Sequence, residues 1–271
     1  MGMFEEMKFR HLAGFMLLAL FVAGVGSAIV GLGAEAVDVL IMEVMYLVVP
    51  LGFFMYHFRK QGVPLSAVIQ TAGVKRWLGS LAGIMAVSIA FSLSVFWLQL
   101  YALMPLSPSL VGFMLEPIPM PENGLYLVLT VIMISVVGPI AEEFIFRGVL
   151  LKRMSLKTSM WGGIIISSLL FGVLHADIIG AFAFGVITSL LYLKTGNLLV
   201  PILLHIFNNS FVMLMTFVAP KWPESVGVLE TADIYANAVP NAILLAISTV
   251  LTAWIIFRLA KGVRRTAAVS E

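Results

Sequence analysis

Eight stretches of this chain are long and apolar enough, or nearly so, to bridge a hydrocarbon core of ~30 Å, which takes roughly 20 residues of helix. They run over 12–33, 37–57, 77–104, 125–151, 158–176, 178–193, 198–219 and 238–257. Of the 271 residues 61% are hydrophobic and 11% charged, far more apolar surface than a soluble domain of this length could bury. The expected fold class is therefore all-α: a polytopic membrane protein, a bundle of eight transmembrane helices forming one domain over residues 1–271. The net charge of +2 is too small to argue for nucleic acid as a partner, and the lipid bilayer is the partner that composition does imply. Cys is absent, which removes disulfides, thiolate metal sites and a cysteine nucleophile.

The basic residues test the span count. Loops on the cytoplasmic side of a membrane hold the excess of Lys and Arg. With eight spans, the pairs and clusters Lys8/Arg10, Arg59/Lys60, Lys75/Arg76, Lys152/Arg153/Lys157, Lys194 and Arg258/Lys261/Arg264/Arg265 fall on one side. Lys221 falls opposite and Arg147 lies within a span. The expected topology is an integral membrane protein of a cell or endomembrane with both termini cytoplasmic. The first apolar run exceeds a 7–15 residue signal core and lacks a clean small-residue cleavage site, so it is expected to stay as a helix. Residues 105–124 and 220–240 are the longer outer loops, the first broken by prolines. Segment 58–76 is amphipathic enough to lie along the interface. Gly24, Gly26, Gly31 and Gly33 read as a site of close helix packing.

Against this background the fourth span is anomalous. It carries Glu142, Glu143 and Arg147 within six residues, and an ionised side chain at the bilayer centre costs ~2.5–3.5 kcal/mol on insertion scales. Glu143 and Arg147 are i and i+4, so they can pair on one helix face. Glu142 is rotated by about 100° and points elsewhere, without that partner. Pro139, behind Gly138, removes a backbone hydrogen bond and can open the helix to water near Glu142. A single Glu–Arg pair reads as packing; the second glutamate argues for a site. Two further spans add Phe171/His175 and His205/Asn209, each pair again at i and i+4. One carboxylate, two imidazoles and a carboxamide comprise a base, orienting donors and an oxyanion donor, the parts needed to activate water on an amide. With no cysteine, no G-x-S-G, no H-E-x-x-H and aspartates only at span ends or in loops, a glutamate-centred hydrolase remains.

The ordered triple E-E-x-x-x-R (142–147), F-x-x-x-H (171–175) and H-x-x-x-N (205–209) resembles the CPBP family of intramembrane glutamate proteases, which includes the type II CAAX prenyl endopeptidases and bacteriocin-processing or immunity proteins. The resemblance implies an intramembrane endopeptidase that uses neither metal nor cofactor. Glu142 would be the general base, with His175 beside it on the water. His205 and Asn209 would stabilise the oxyanion, and Glu143, Arg147 and Phe171 would support the site. The implied substrate is a peptide or protein carrying a prenylated C-terminal CaaX sequence, cut at the cytoplasmic side to release a tripeptide, or a related membrane-associated peptide. Two other readings of the same residues stay open. Glu142, His175 and His205 could ligate zinc in a membrane metalloprotease, or the polar groups could serve a non-enzymatic transporter or immunity-type protein.

Helical rise sets a condition on depth. At ~1.5 Å per residue Glu142 lies ~15 Å from Lys152 and His205 only ~12 Å from Asn197. For the site to converge, the hairpin at 152–158 must project from the membrane and the 194–197 turn must be recessed.

Overall fold

The structure, a computed structural model, describes residues 4, 6–117, 119–219 and 223–269, without the side chains of 262 and 264–269. Among these residues there are helices and connections and no strand. Eight apolar helices occur in the expected order: α1 (Phe9–Val30), α2 (Ala34–Gln61), α3 (Leu78–Leu103), α4 (Gly124–Lys157), α5 (Met160–Gly172), α6 (Ile178–Thr195), α7 (Leu199–Val218) and α8 (Ala238–Val269). Seven of them are long and apolar enough to cross a membrane, and the chain is an integral membrane protein. Lys221, the one basic residue expected on the opposite side, lies outside the described residues.

The exception in length is α5. Its 13 residues cover ~20 Å, short of a ~30 Å core, instead of the expected 158–176. Gly172 is where the chain turns back, because a Cβ there would come 2.7 Å from the Ile178 carbonyl oxygen and 3.2 Å from the Phe182 Cβ. The helix stops so that α6 can pack against it directly. Asp177 then caps α6, its carboxylate accepting from the Gly180 N–H at 3.0 Å.

At the bundle's axis stands α6, with 61% of its residues buried, whereas α1 at the rim buries only Leu12 and Ser27. It touches α3, α4, α5, α7 and α8. The glycines of α1 do not pack closely as expected: a Cβ on Gly24 or Gly26 would meet nothing within 4 Å. Their helix lies at the edge of the bundle, with no neighbour over that face.

Three segments depart from α-geometry. Wide π turns occupy Glu43–Val48 of α2 and both Met133–Val137 and Glu143–Leu150 of α4. Such turns are rare and concentrate at functional sites. In α4 the cause is legible. The Gly138 N–H bonds the Met133 carbonyl, five residues back, a closure that a side chain at 138 would obstruct since its Cβ would sit 2.9 Å from that oxygen. Continuing the pattern, the next donor would be residue 139, but proline has none.

Two features of the fold bear on the depth condition. Helix α4 has 34 residues, or ~51 Å at helical rise, so its end at Lys157 outruns a ~30 Å core. The 194–197 turn is recessed under segment 62–77, which is a loop with two short 3-10 turns. Asn197 is buried there, accepting from the Gln70 N–H at 3.1 Å and donating to the Gln70 carbonyl at 2.6 Å, while the Leu198 N–H bonds the Val68 carbonyl. Part of the segment expected at the interface is thus a cover over the turn.

Candidate active site

The three sequence motifs meet where α7 packs across the π-wound middle of α4, with α5 and α6 behind. Glu143 and Arg147 pair as the i, i+4 spacing predicts, Arg147 Nε lying 3.2 Å from Glu143 Oε2 with both side chains buried. Arg147 Nε also donates to Thr188 Oγ1 of α6 at 2.8 Å. The guanidinium lies over the Phe171 ring, 4.3 Å from its centroid, an arrangement that stabilises a cation by ~2 kcal/mol or more when desolvated. Phe171 is therefore a structural partner of the arginine and of both histidines, its ring 4.4 Å from His175 and 5.8 Å from His205.

His205 joins the two glutamates. Its Nδ1 lies 2.9 Å from Glu143 Oε1, and a carboxylate only accepts, so Nδ1 carries the proton. Its other nitrogen, Nε2, faces Glu142 Oε2 at 3.7 Å. That is beyond a direct hydrogen bond. Glu142 keeps 16% of its surface exposed, whereas Glu143 keeps none. The two adjacent carboxylates thus occupy different environments, one sealed against a guanidinium and an imidazole, the other open. Glu142 is not without a partner, as the helix-face argument suggested, since the Tyr46 hydroxyl of α2 donates to it.

His175 sits outside a helix, in the 173–177 turn after α5, and still reaches back one turn. Its Nδ1 lies 2.8 Å from the Phe171 carbonyl, an acceptor only, so Nε2 is the atom left with a lone pair. The turn is held from α3, where Gln99 donates to the Ala176 carbonyl at 2.8 Å and the Ser92 hydroxyl donates to Asp177. Asn209 donates from Nδ2 to the Ile134 carbonyl at 3.0 Å. That carbonyl is the one whose fifth-residue donor would have been Pro139, so the carboxamide satisfies the gap that proline opens. One N–H of Asn209 remains for another acceptor.

Phe171, His175, His205 and Asn209 share the wall of a cavity of about 390 Å³ between α3, α6 and α7. Ser88, Ser92, Asp177 and Asn208 add polar points to an otherwise apolar lining, the composition expected of a ligand site. Glu142 does not line this cavity; His205, which does, faces Glu142 at 3.7 Å. Among the described residues no three His, Asp or Glu side chains gather closely enough to hold a metal ion. Sequence reading missed Tyr46, Thr188 and the Ser92–Asp177 pair. No spacing links position 46 or 92 to the motifs, because these contacts join helices far apart in the chain.

Residues 124–211 match the family described as Type II CAAX prenyl endopeptidase Rce1-like, a segment that contains all three motifs. The chain is 39% identical over 90 residues to the putative membrane peptidase YdiL of Bacillus subtilis, covering 32% of this chain and 37% of that protein. It is 36% identical over 97 residues to the membrane-embedded CAAX protease MroQ of Staphylococcus aureus, covering 32% and 39%. A third relative, an uncharacterized 24.3 kDa protein of Escherichia coli, is 35% identical over 95 residues, 32% of this chain and 44% of that one. The chain thus spans about two fifths of the length of the curated relatives it matches. No solved structure matches it.

Proposed function

We propose, on the premise that residues 124–211 are similar to the Rce1-like type II CAAX prenyl endopeptidases, that this membrane protein is an intramembrane endopeptidase in which Glu142 activates water. The observation that carries the proposal is the unequal pair of glutamates: Glu143 sealed against Arg147 and His205, Glu142 open and facing His205 Nε2 at 3.7 Å beside the cavity. A sealed, paired carboxylate builds structure. An open one within reach of an imidazole can move a proton.

In this reading a water held between Glu142 and the cavity imidazoles attacks the scissile carbonyl carbon while its proton passes to Glu142. His175, with Nε2 free, orients that water. The resulting oxyanion is met by the remaining N–H of Asn209 and by His205, which donates from Nε2 in its doubly protonated form while Nδ1 stays on Glu143. Glu142 then returns the proton to the leaving nitrogen as the C–N bond breaks, giving a carboxylic acid and an amine. Glu143, Arg147, Thr188 and Phe171 hold His205 and the base in place. No covalent intermediate or metal is needed.

The proposed substrate is a membrane-associated peptide, prenylated at a C-terminal CaaX sequence, reaching the site from the cytoplasmic side, where the distribution of Lys and Arg leads us to expect both termini. Incubation of the protein in lipid with a farnesylated CaaX peptide, followed by mass spectrometry, is expected to show an intact tripeptide released in one cut. Cleavage of the unprenylated peptide at the same rate would remove the prenyl requirement, and absence of any cut would remove the substrate class.

A further inference from the structure

On the far side of α2 from Glu142 lies a second cavity, of about 920 Å³, between α1 and α2. Its two ends differ in chemistry. At one end, Lys8 and His11 from the start of α1 meet His57 and Lys60 from the end of α2, with Glu6 beside them. Among the described residues that line it, two lysines against one carboxylate give this mouth a net positive charge before either imidazole gains a proton. Aromatic rings stand beside these groups, Lys60 Nζ lying 5.7 Å from the Tyr56 ring centroid and the Phe53 ring 4.5 Å from the His57 ring.

Away from the mouth the walls are purely apolar. Phe15, Leu18 and Val22 line them from α1, and Val48, Val49 and Gly52 from α2. At ~1.5 Å per residue the groove runs ~18 Å from Lys60 to Val48 and ~21 Å from Lys8 to Val22, the depth of one leaflet of a ~30 Å core plus its head-group layer. Phe15, Leu18 and Val22 are each more than half exposed, so the groove opens to the surrounding bilayer. An occupant must be apolar for the depth of one leaflet and anionic at the surface. Basic pockets between transmembrane helices recognise anionic head groups in this way.

We propose that the groove between α1 and α2 binds an anionic phospholipid, one acyl chain against Phe15, Leu18 and Val22 and the phosphate at Lys8 and Lys60. The site is independent of the cleavage chemistry, and its occupancy can be measured without a peptide substrate. It also gives α1 a contact on a face that the protein itself leaves thinly covered, since α1 is the least buried span.

The test is native mass spectrometry of the whole protein released from nanodiscs of equal phosphatidylglycerol and phosphatidylcholine. Wild type is expected to retain phosphatidylglycerol in preference, and each of Lys8→Gln and Lys60→Gln to lower that preference about fivefold, the equivalent of ~1 kcal/mol per basic residue near an anionic surface. Lys157→Gln, remote from the groove, is expected to leave it unchanged. Leu18→Trp, which fills the apolar wall and spares the charges, is expected to lose bound lipid while the unfolding midpoint in detergent holds. Equal retention of the two lipids, or an undiminished preference in both the charge and the wall variants, would overturn the proposal.

Discussion

The division of labour between Glu142 and Glu143 rests on partners, and each partner makes a prediction. Arg147 is buried with its charge balanced by Glu143, and removing one member of a buried pair leaves an uncompensated charge costing about 3–5 kcal/mol. Arg147→Ala is therefore expected to lower the unfolding midpoint in detergent sharply, where Glu142→Gln leaves it in place. Tyr46 bonds the open carboxylate. Tyr46→Phe keeps the ring and removes one hydrogen bond to a charged group, worth about 1.5–3 kcal/mol, so turnover should fall by roughly 10- to 100-fold with the fold intact. Wild-type turnover in Tyr46→Phe would show that the hydroxyl has no part in holding the base. The pairing of Glu143 with Arg147 was legible in the sequence from spacing alone. That His205 bridges both glutamates was not, since a span's polar residues declare a helix face and not which neighbour it meets.

At the scale of the element, α4 departs from an ordinary helix because of Gly138 and Pro139. The glycine lets the backbone close on the fifth residue, and the proline leaves the Ile134 carbonyl for Asn209. A buried carbonyl deprived of its donor costs about 1–3 kcal/mol. Asn209→Ala should lose that much stability as well as cleavage. Pro139→Ala supplies a backbone N–H to the same carbonyl, so the double variant should recover stability and stay inactive, with a coupling above ~0.5 kcal/mol in the cycle. Additive effects would mean that proline and carboxamide do not act on one group. The sequence marked a disturbance of α4 at Pro139, but not its form, because π winding depends on what α7 offers across the contact. The fifth span was misjudged for a related reason: apolar composition continues to residue 176, while Gly172 ends the helix by admitting α6.

The whole molecule reads as a packed half and a rim. Helices α3, α4, α5, α7 and α8 surround α6; α1 lies outside them with its glycines facing no neighbour. Composition revealed the membrane setting and hydrophobic runs revealed the order of helices, since both follow from what lipid demands of any backbone. The recessed 194–197 turn and its cover from 68–70 follow from long-range contacts that no local pattern announces. The absence of cysteine makes topology directly measurable. Single cysteines at Glu6 and Lys261 should react with an impermeant thiol reagent from the cytoplasmic side, and one at Glu230 from the other; labelling of 6 and 261 from opposite sides would contradict the even span count.

The proposed mechanism turns on the open carboxylate of Glu142 as the base. Cleavage of a farnesylated CaaX peptide by Glu142→Gln and wild type in the same lipid, with the unfolding midpoint of each recorded alongside, tests it most directly. Glu142→Gln is expected to turn over about 10²–10⁴-fold more slowly, the contribution of a general base, at an unchanged midpoint; turnover within a few-fold of wild type would take that role from Glu142.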